Sequence, residues 1–177
     1  SEESVSRAWR TPVGHVGEAG RWRVGEAIPD PARLAILGWS YGGYAALQSA
    51  VVDPDLFKAV VAVAPVSDLR LLQEESRGWS DYRLIRDFIG TGPHVAEGSP
   101  AQHARALRAP VLIFHGDHDQ NVSLRHSRLM ADRLRDAGKP VELVVFEGLD
   151  HQIEDSEARA RMLRQSDEFL PRAFDAQ

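Results

Sequence analysis

The sequence predicts an α/β fold built on one parallel sheet. Its 177 residues contain four apolar runs of strand length, and segments of helical character separate them. Strands that alternate with helices form parallel sheets with right-handed crossovers. The run at 57–64 is almost wholly apolar, which is typical of a strand covered on both faces. The length suits one domain, and we expect that domain to occupy residues 1–177.

Composition and charge exclude several classes of protein. Hydrophobic residues make up 43% and charged residues 27%, so the chain is neither disordered nor fibrous. The formal net charge is −5, and scattered basic residues argue against binding to nucleic acid or to a membrane surface. There is no cysteine, which excludes disulfides and thiolate chemistry. The sequence has no signal-peptide pattern and no apolar run of membrane-spanning length, which favours a cytoplasmic location.

The first thirty residues are the least regular part of the sequence. Glu18 to Ile28 has the composition of a short helix that would carry Trp22 and Val24 inward. Several glycines and Pro12 weaken this pattern. The Pro29–Pro31 segment then ends whatever precedes it and leads into the first strand.

Prolines and glycines bound the elements that follow. In chain order we predict a strand at 34–38, a helix over Gly43–Val52, a strand at 57–64, a helix over Pro100–Leu107, a strand at 110–115, a helix over Ser123–Ala137, a strand over Val141–Phe146 and a helix over Ser156–Leu170. The last helix should stop before Pro171. Residues 67–99 look irregular, and so long a connection is usually functional, here as a cap or pocket wall.

A serine lies at the turn between the first strand and its helix. The segment Gly38-Trp39-Ser40-Tyr41-Gly42 fits the G-x-S-x-G nucleophile elbow, in which a strained turn presents the serine hydroxyl. Any Cβ at Gly38 or Gly42 is expected to collide with the neighbouring chain. The backbone N–H of Tyr41 would be the first donor to an oxyanion. The alternative is a glycine-rich turn in which Ser40 only caps the helix, and the strand and helix flanks favour the nucleophile.

Acid and histidine residues follow the third and fourth strands. Ligands bind beyond the carboxyl ends of the strands in an open parallel sheet. The chain order there is Ser40, Asp119, His151, which is the order of α/β-hydrolase triads. His151 would act as the general base, and Asp119 would orient its ring. Asp117 and Asp150 remain alternatives for the acid.

The same region has a second chemical interpretation as a metal site. Its candidate ligands are His115, Asp117, His118 and Asp119. Histidine with carboxylate suits zinc, and side chains two apart on a strand end share a face. We disfavour this interpretation because His115 should belong to a buried strand end and no second ligand cluster is evident in the sequence. The histidines expected to be solvated at the surface are His15, His94, His103 and His126.

Four short segments share a resemblance to one family. They are Gly38–Tyr44, Pro65–Asp68, His115–Val122 and Glu147–His151. Together they resemble the catalytic domain of the prolyl oligopeptidase family of serine peptidases, on the dipeptidyl-peptidase and acylaminoacyl-peptidase side. The resemblance runs from about residue 31 to 170 and implies an α/β-hydrolase-type sheet with helices on both faces. The family's His-Gly-x-x-Asp-x-x-Val pattern places the triad acid on Asp119.

The resemblance also implies an activity and a set of contacts with substrate. The implied activity is hydrolysis of short peptides, removing N-terminal dipeptides or acylated residues, without a cofactor or a metal. Carboxylesterase activity on small esters is the alternative. The pocket for the residue before the scissile bond would be lined at Tyr41, Val66 and Val122, with the Asn121 side chain near the substrate backbone.

Parts of the family's pattern have no counterpart in these residues. They are the N-terminal β-propeller, the first strands of the hydrolase sheet and the loop that supplies the second oxyanion donor. We therefore expect a partial domain, the C-terminal portion of a longer enzyme. An unpaired strand edge would favour self-association or pairing with another chain. The alternative from a different class of function is a non-catalytic fragment that acts in binding or assembly.

Overall fold

Four parallel strands form one sheet in the order in which they occur along the chain. The structure is a computed structural model that describes residues 9–26 and 30–176. The strands are β1 (Ala35–Trp39), β2 (Ala59–Val63), β3 (Val111–Gly116) and β4 (Val141–Phe146). In register, Trp39 lies opposite Val63, and Val63 lies opposite Phe114. The predicted parallel α/β sheet is confirmed, and β4 has the predicted bounds.

Helices connect and cover the strands. They are α1 (Arg10–Gly25), α2 (Tyr41–Val52), α3 (Leu69–Glu75), α4 (Tyr82–Ile89), α5 (Pro93–Glu97), α6 (Leu124–Asp136) and α7 (Ser156–Asp175). Short 3₁₀ segments occur over Pro31–Arg33, Ser76–Gly78 and Pro100–Ala106. Among the described residues, no helix is long and apolar enough to cross a membrane.

The two faces of the sheet hold separate apolar cores. Val111 and Ile113 of β3 belong to the core under α2 and α6, whereas Leu112 and Phe114 belong to the core under α7. Successive side chains of a strand point to opposite faces. A strand buried on both sides must therefore be apolar at every position, which is why the central strands are visible in the sequence as continuous apolar runs.

The N-terminal helix differs from its prediction. α1 begins at Arg10 and passes through Pro12, because a proline in the first turn of a helix removes no intrahelical hydrogen bond. Trp22 does not point inward, since 58% of its surface is exposed. Val13 of this helix is buried instead, and Val24 is half-buried. The end of the predicted segment, 27–28, lies outside the described residues.

The C-terminal helix also differs from its prediction, because it continues through Pro171 to Asp175. Proline lacks the N–H that would bond one turn back, so the ring removes one helical hydrogen bond. Phe169 and Ala173, on either side of it, are buried in the core under α7. This packing holds the helix together across the proline, so the expected stop before Pro171 is wrong.

Residues 67–99 are mostly helical rather than irregular, and we call residues 69–97 the cap segment. They form α3, α4 and α5, which are too short for a 3.6-residue period to be recognised in the sequence. Asp68 caps α3, since its Oδ1 accepts hydrogen bonds from the backbone N–H groups of Arg70 and Leu71.

The cap segment is tied to α2, the helix that follows the elbow serine. The Tyr44 hydroxyl donates to the carbonyl of Gly98 over 2.8 Å. The Gln48 side-chain amide donates to the carbonyl of Glu97 over 2.9 Å. Both α2 side chains are buried, so these bonds fix the end of α5 against the helix that starts at the serine.

Candidate active site

Ser40 has the strained backbone that an elbow requires. Its φ is 56° and its ψ is −117°, a left-handed conformation that a residue with a side chain rarely adopts. Its backbone N–H donates to the carbonyl of Val63 at the end of β2, over 2.8 Å. The turn is therefore fixed to the neighbouring strand, and α2 begins at the next residue.

The glycines around Ser40 have unequal roles. A Cβ at Gly38 would overlap the carbonyl of Gly42, so the expected collision there is correct. A Cβ at Gly42 itself would meet no atom within 4 Å beyond its own helix backbone and its chain neighbours, so the collision expected there is wrong. The second tight glycine is Gly43, where a Cβ would lie 3.1 Å from the carbonyl of Val63. Close packing of α2 against β2 thus depends on Gly43.

Three predicted residues come together at the carboxyl ends of the strands. His151 Nε2 lies 2.9 Å from Ser40 Oγ, and His151 Nδ1 lies 2.6 Å from Asp119 Oδ2. His151 and Asp119 are both buried. A carboxylate can only accept, so Nδ1 carries the proton and Nε2 is free to accept from the serine hydroxyl. The three side chains form one continuous hydrogen-bonded chain.

The Asp119 carboxyl is held by several donors. Its Oδ1 accepts from the backbone N–H groups of Asn121 and Val122, over 2.8 and 2.9 Å. Its Oδ2 faces His151 and also His115, whose Nε2 is 3.2 Å away. Burial alone would raise the pKa of Asp119, but these hydrogen bonds outweigh it and lower the pKa to about 2. The group is therefore a carboxylate at neutral pH.

The two alternative acids make other contacts. Asp117 Oδ1 accepts from the backbone N–H of Gly148 and so joins the loops after β3 and β4. Asp150 Oδ1 accepts from the backbone N–H of Gln152 in its own turn. Neither carboxyl contacts His151 by the described hydrogen bonds, so the geometry favours Asp119 among the three.

The other histidines divide into surface and interior positions. His115 is fully buried, as expected for the end of β3. His126 is also fully buried, so its expected place at the surface is wrong. Its Nδ1 accepts from the backbone N–H of Ser67, which turns the ring inward from α6. Among the described residues, no group of histidines and carboxylates could hold a metal ion.

An apolar cavity of about 340 Å³ lies beside the elbow. It is lined by Tyr41, Tyr44, Val66, Leu69, Leu72, Leu84, Ile85, Phe88 and Ile89. Tyr41 and Val66, both predicted to line the pocket, are thus on its wall. Val122 packs in the cluster that contains Val66, whereas Asn121 is exposed and its described contact is through its backbone.

The cap segment supplies part of this wall, as predicted for residues 67–99, but sequence reasoning did not identify which of its side chains line the cavity. Leu84 and Phe88 on α4 are 72% and 56% exposed, although both are large and apolar. Their spacing of four places them on one face of a helix, together with Ile85. That spacing was the available signal, but a helix of eight residues was too short to recognise.

Sequence reasoning also missed a contact between β1 and the histidine loop. The Trp39 indole Nε1 donates to the backbone carbonyl of His151 over 3.2 Å. Trp39 immediately precedes Ser40, so one residue of β1 links the serine turn to the loop that carries the imidazole. Sequence spacing gives no indication of this bond because 112 residues separate its partners.

Comparison with known proteins identifies the family. The profile described as "Prolyl oligopeptidase family" matches residues 16–177, nearly the whole chain. This chain belongs to the prolyl oligopeptidase family. The resemblance carried by the four sequence segments is therefore confirmed, and so is the α/β-hydrolase type of sheet that it implied.

Several named or structurally characterised proteins are similar to this chain. The "Uncharacterized peptidase YtmA" of Bacillus subtilis is 32% identical over 143 residues, which cover 78% of this chain and 54% of that protein. Human "Dipeptidyl peptidase 8" is 31% identical over 128 residues, which cover 70% of this chain and 14% of that protein. The structure of a puromycin-hydrolysing peptidase of Mycobacterium tuberculosis superposes with a TM-score of 0.80 at 32% identity. The match covers 88% of this chain and 24% of that peptidase.

The chain spans about half the length of the Bacillus peptidase and a smaller part of the other two proteins. All three names describe peptidases, so the family is one of enzymes that hydrolyse peptide bonds.

Proposed function

We propose that this chain is the catalytic portion of a serine peptidase that hydrolyses short peptides. Ser40 would be the nucleophile, His151 the general base and Asp119 the residue that orients the base. The observation that carries the proposal is the hydrogen-bonded chain from Ser40 Oγ through the imidazole to the carboxylate, at 2.9 and 2.6 Å. Family membership supports it, because the named relatives are peptidases.

Acylation follows from the protonation states of the three groups. Ser40 Oγ attacks the carbonyl carbon of the scissile bond while its proton passes to Nε2 of His151. The Asp119 carboxylate stabilises the imidazolium through the bond at Nδ1. The backbone N–H of Tyr41, the first residue of α2, has no acceptor within its helix and can donate to the oxyanion that forms.

Product release and deacylation reverse this proton path. His151 gives its Nε2 proton to the leaving amine, which departs and leaves an ester on Ser40 Oγ. Water then donates a proton to Nε2 and attacks the ester carbonyl, and the same proton returns to Ser40 as the acid product leaves. The proton path of these steps runs through Ser40, His151 and water.

The apolar cavity supports a preference at the residue before the scissile bond. Its wall carries no charged side chain, and Tyr41 places it next to the serine. A volume of about 340 Å³ suits a large side chain such as leucine or phenylalanine. Burying such a side chain contributes about 1.5–3 kcal/mol, so kcat/KM should exceed that for glycine by about 10- to 100-fold.

The test is hydrolysis of p-nitroanilides with phenylalanine or glycine at that position, in dipeptidyl and acetylated forms, alongside a p-nitrophenyl ester. We expect Ser40-dependent turnover of the phenylalanyl compounds, with Ser40→Ala inactive. Asp119→Asn should lower kcat by about 10³–10⁴ because the amide no longer selects the required tautomer. Asp117→Asn is the matched control and should keep nearly full activity.

The outcomes separate the competing functions. Cleavage of the dipeptidyl compound indicates a dipeptidyl-peptidase-like enzyme, and cleavage of the acetylated one indicates an acylaminoacyl-peptidase-like enzyme. Ester hydrolysis alone would replace the peptidase by a carboxylesterase. A fluorophosphonate probe that labels wild type and Ser40→Ala equally would rule out an activated serine, and the non-catalytic alternative would then stand.

A further inference from the structure

A second imidazole lies against the candidate triad and has no part in the mechanism above. His115, at the end of β3, is fully buried. Its Nε2 lies 2.7 Å from the carbonyl oxygen of Val122 and 3.2 Å from Asp119 Oδ2. Its Nδ1 lies 2.6 Å from the hydroxyl oxygen of Ser127 on α6. Every polar atom of this ring therefore has a partner within the protein.

The partners fix which nitrogen carries the proton. A carbonyl and a carboxylate can only accept, so the nitrogen between them must be Nε2–H. Ser127 can donate its hydroxyl proton, so Nδ1 is the acceptor in the neutral ring. The ring therefore has one orientation and one neutral tautomer that satisfy all three contacts.

We propose that His115 is a positioning residue of the triad, which donates its Nε2–H to the Asp119 oxygen that also accepts from His151. The proposal rests on the proposed function of Ser40, His151 and Asp119. The same N–H also bonds the carbonyl of Val122, whose own backbone N–H donates to the other carboxylate oxygen. His115 thereby holds both the carboxylate and the turn that carries it.

This bond should influence the proton on His151. Without His115, the negative charge on Asp119 Oδ2 has one donor fewer and attracts the Nδ1 proton of His151 more strongly. The imidazolium is then stabilised, and activity should be lost at a higher pH than in the wild type. Because the freed carboxylate can also rotate away from its productive orientation, the maximal rate should fall.

Other ionisable groups do not complicate this expectation. Among the described residues, the ionisable side chains that contact the Asp119 carboxyl are His115 and His151. The contact of His115 from α6 is the neutral Ser127, and its partner in β4 is Val145. A shift in the pH profile can therefore be assigned to the bond between His115 and Asp119.

The chain offers a matched pair of variants. In His115→Gln the side-chain amide reaches the place of Nε2 and can still donate to Asp119, whereas in His115→Asn it reaches only the place of Nδ1. We expect His115→Asn to lower kcat/KM about tenfold and to move the acid limb of the pH profile up by about half a unit. We expect His115→Gln to keep most of the wild-type kcat/KM and most of the wild-type position of the acid limb.

Ser127→Ala is the structural control, because it removes a partner of the ring and leaves the Nε2–H donor in place. It should lower the melting temperature without moving the acid limb. A folded His115→Asn variant with an unmoved acid limb would overturn the positioning role, and so would His115→Gln behaving like His115→Asn while folded.

A measurement that does not depend on enzymatic turnover tests the role of His115 independently of the proposed function. NMR of the wild-type chain with isotope-labelled histidine identifies which ring nitrogen of His115 carries a proton, and follows the titration of the His151 ring. A proton on Nε2, and an upward shift of the His151 titration in His115→Asn, support the inference. A neutral ring protonated at Nδ1 would overturn it. Absence of Ser40-dependent turnover would overturn the proposed function and leave this measurement intact.

Discussion

At the scale of single residues, Asp119 shows how burial and hydrogen bonding compete. Burial of the carboxyl disfavours its charged form, yet two imidazoles face it and two backbone N–H groups donate hydrogen bonds to it. The donors prevail, and the pKa falls from its ordinary 3.8 to about 2. The charge that the proposed mechanism needs is therefore built into the fold before any substrate binds.

This lowered pKa predicts an acid-sensitive part of the stability. A carboxyl whose pKa is lower in the folded state stabilises the fold at a pH above its ordinary value, and the contribution is lost as pH falls from about 4 towards 2. The shift to about 2 corresponds to about 2 kcal/mol. In urea unfolding, the free-energy difference between wild type and Asp119→Asn should shrink by about two thirds of that amount from pH 5 to pH 2.5, because pH 2.5 still lies above the folded-state pKa. A difference that stays constant with pH would contradict the prediction.

The glycines of the elbow give a second prediction at this scale. Gly38→Ala places a Cβ against the backbone of Gly42, so we expect the melting temperature to fall by about 4–12 °C, corresponding to about 2–3 kcal/mol. Gly42→Ala meets open space in the first turn of α2, and alanine favours a helix by about 1 kcal/mol over glycine. Its melting temperature should equal or exceed that of the wild type. Equal losses in both variants would show that the two positions are not distinguished by packing.

At the scale of elements, the sequence was informative wherever an element is long or buried on both faces. The central strands were recognisable because every position faces a core, and β4 because Pro140 precedes it and Gly148 follows it. The cap helices were missed because five to eight residues carry too little periodicity. The continuation of α7 through Pro171 was missed because tertiary packing, not local propensity, decides it.

Glu75, at the end of α3, attaches the cap segment to the start of α6. Its Oε1 accepts from the Ser123 hydroxyl over 2.7 Å and from Arg125 Nη1 over 3.1 Å. Its Oε2 is 3.5 Å from Nε2 of the buried His126. Burial raises the pKa of Glu75, but the neighbouring His126 ring, the hydrogen bond from Ser123 and the charge of Arg125 lower it overall. Glu75 therefore fixes the end of the helix that supplies Leu69 and Leu72 to the cavity.

Removing this attachment should affect substrates that use the cavity. We expect Glu75→Ala to raise KM for the phenylalanyl anilide about three- to tenfold, because the cavity wall becomes less ordered. The rate on a p-nitrophenyl acetate, which leaves the cavity empty, should change little. Glu74→Ala, at the exposed neighbouring position, is the control and should leave the KM for the anilide and the rate on the acetate unchanged. An equal loss on both substrates would indicate general destabilisation instead.

At the scale of the whole molecule, the parallel sheet explains why the candidate residues were identifiable from the sequence. Ser40 follows β1, and the loops after β3 and β4 carry Asp119 and His151, so the carboxyl ends of three strands bring them together. Contacts between residues far apart in sequence could not be read in the same way. The bond from Trp39 to the His151 carbonyl and the burial of His126 depend on how loops and helices pack, which no local pattern encodes.

The sheet ends at β1, and this edge gives the last prediction. Among the described residues β1 pairs only with β2, and Leu37 in its middle is 66% exposed. An exposed apolar edge strand is a template for pairing with another chain. We expect the wild-type chain to self-associate as its concentration rises in sedimentation velocity, and Leu37→Lys to shift it towards monomer. Leu163→Lys is the matched control, since Leu163 is 74% exposed but belongs to α7 and not to β1. A wild type that stays monomeric at all concentrations, or equal effects of the two lysines, would contradict an association through β1.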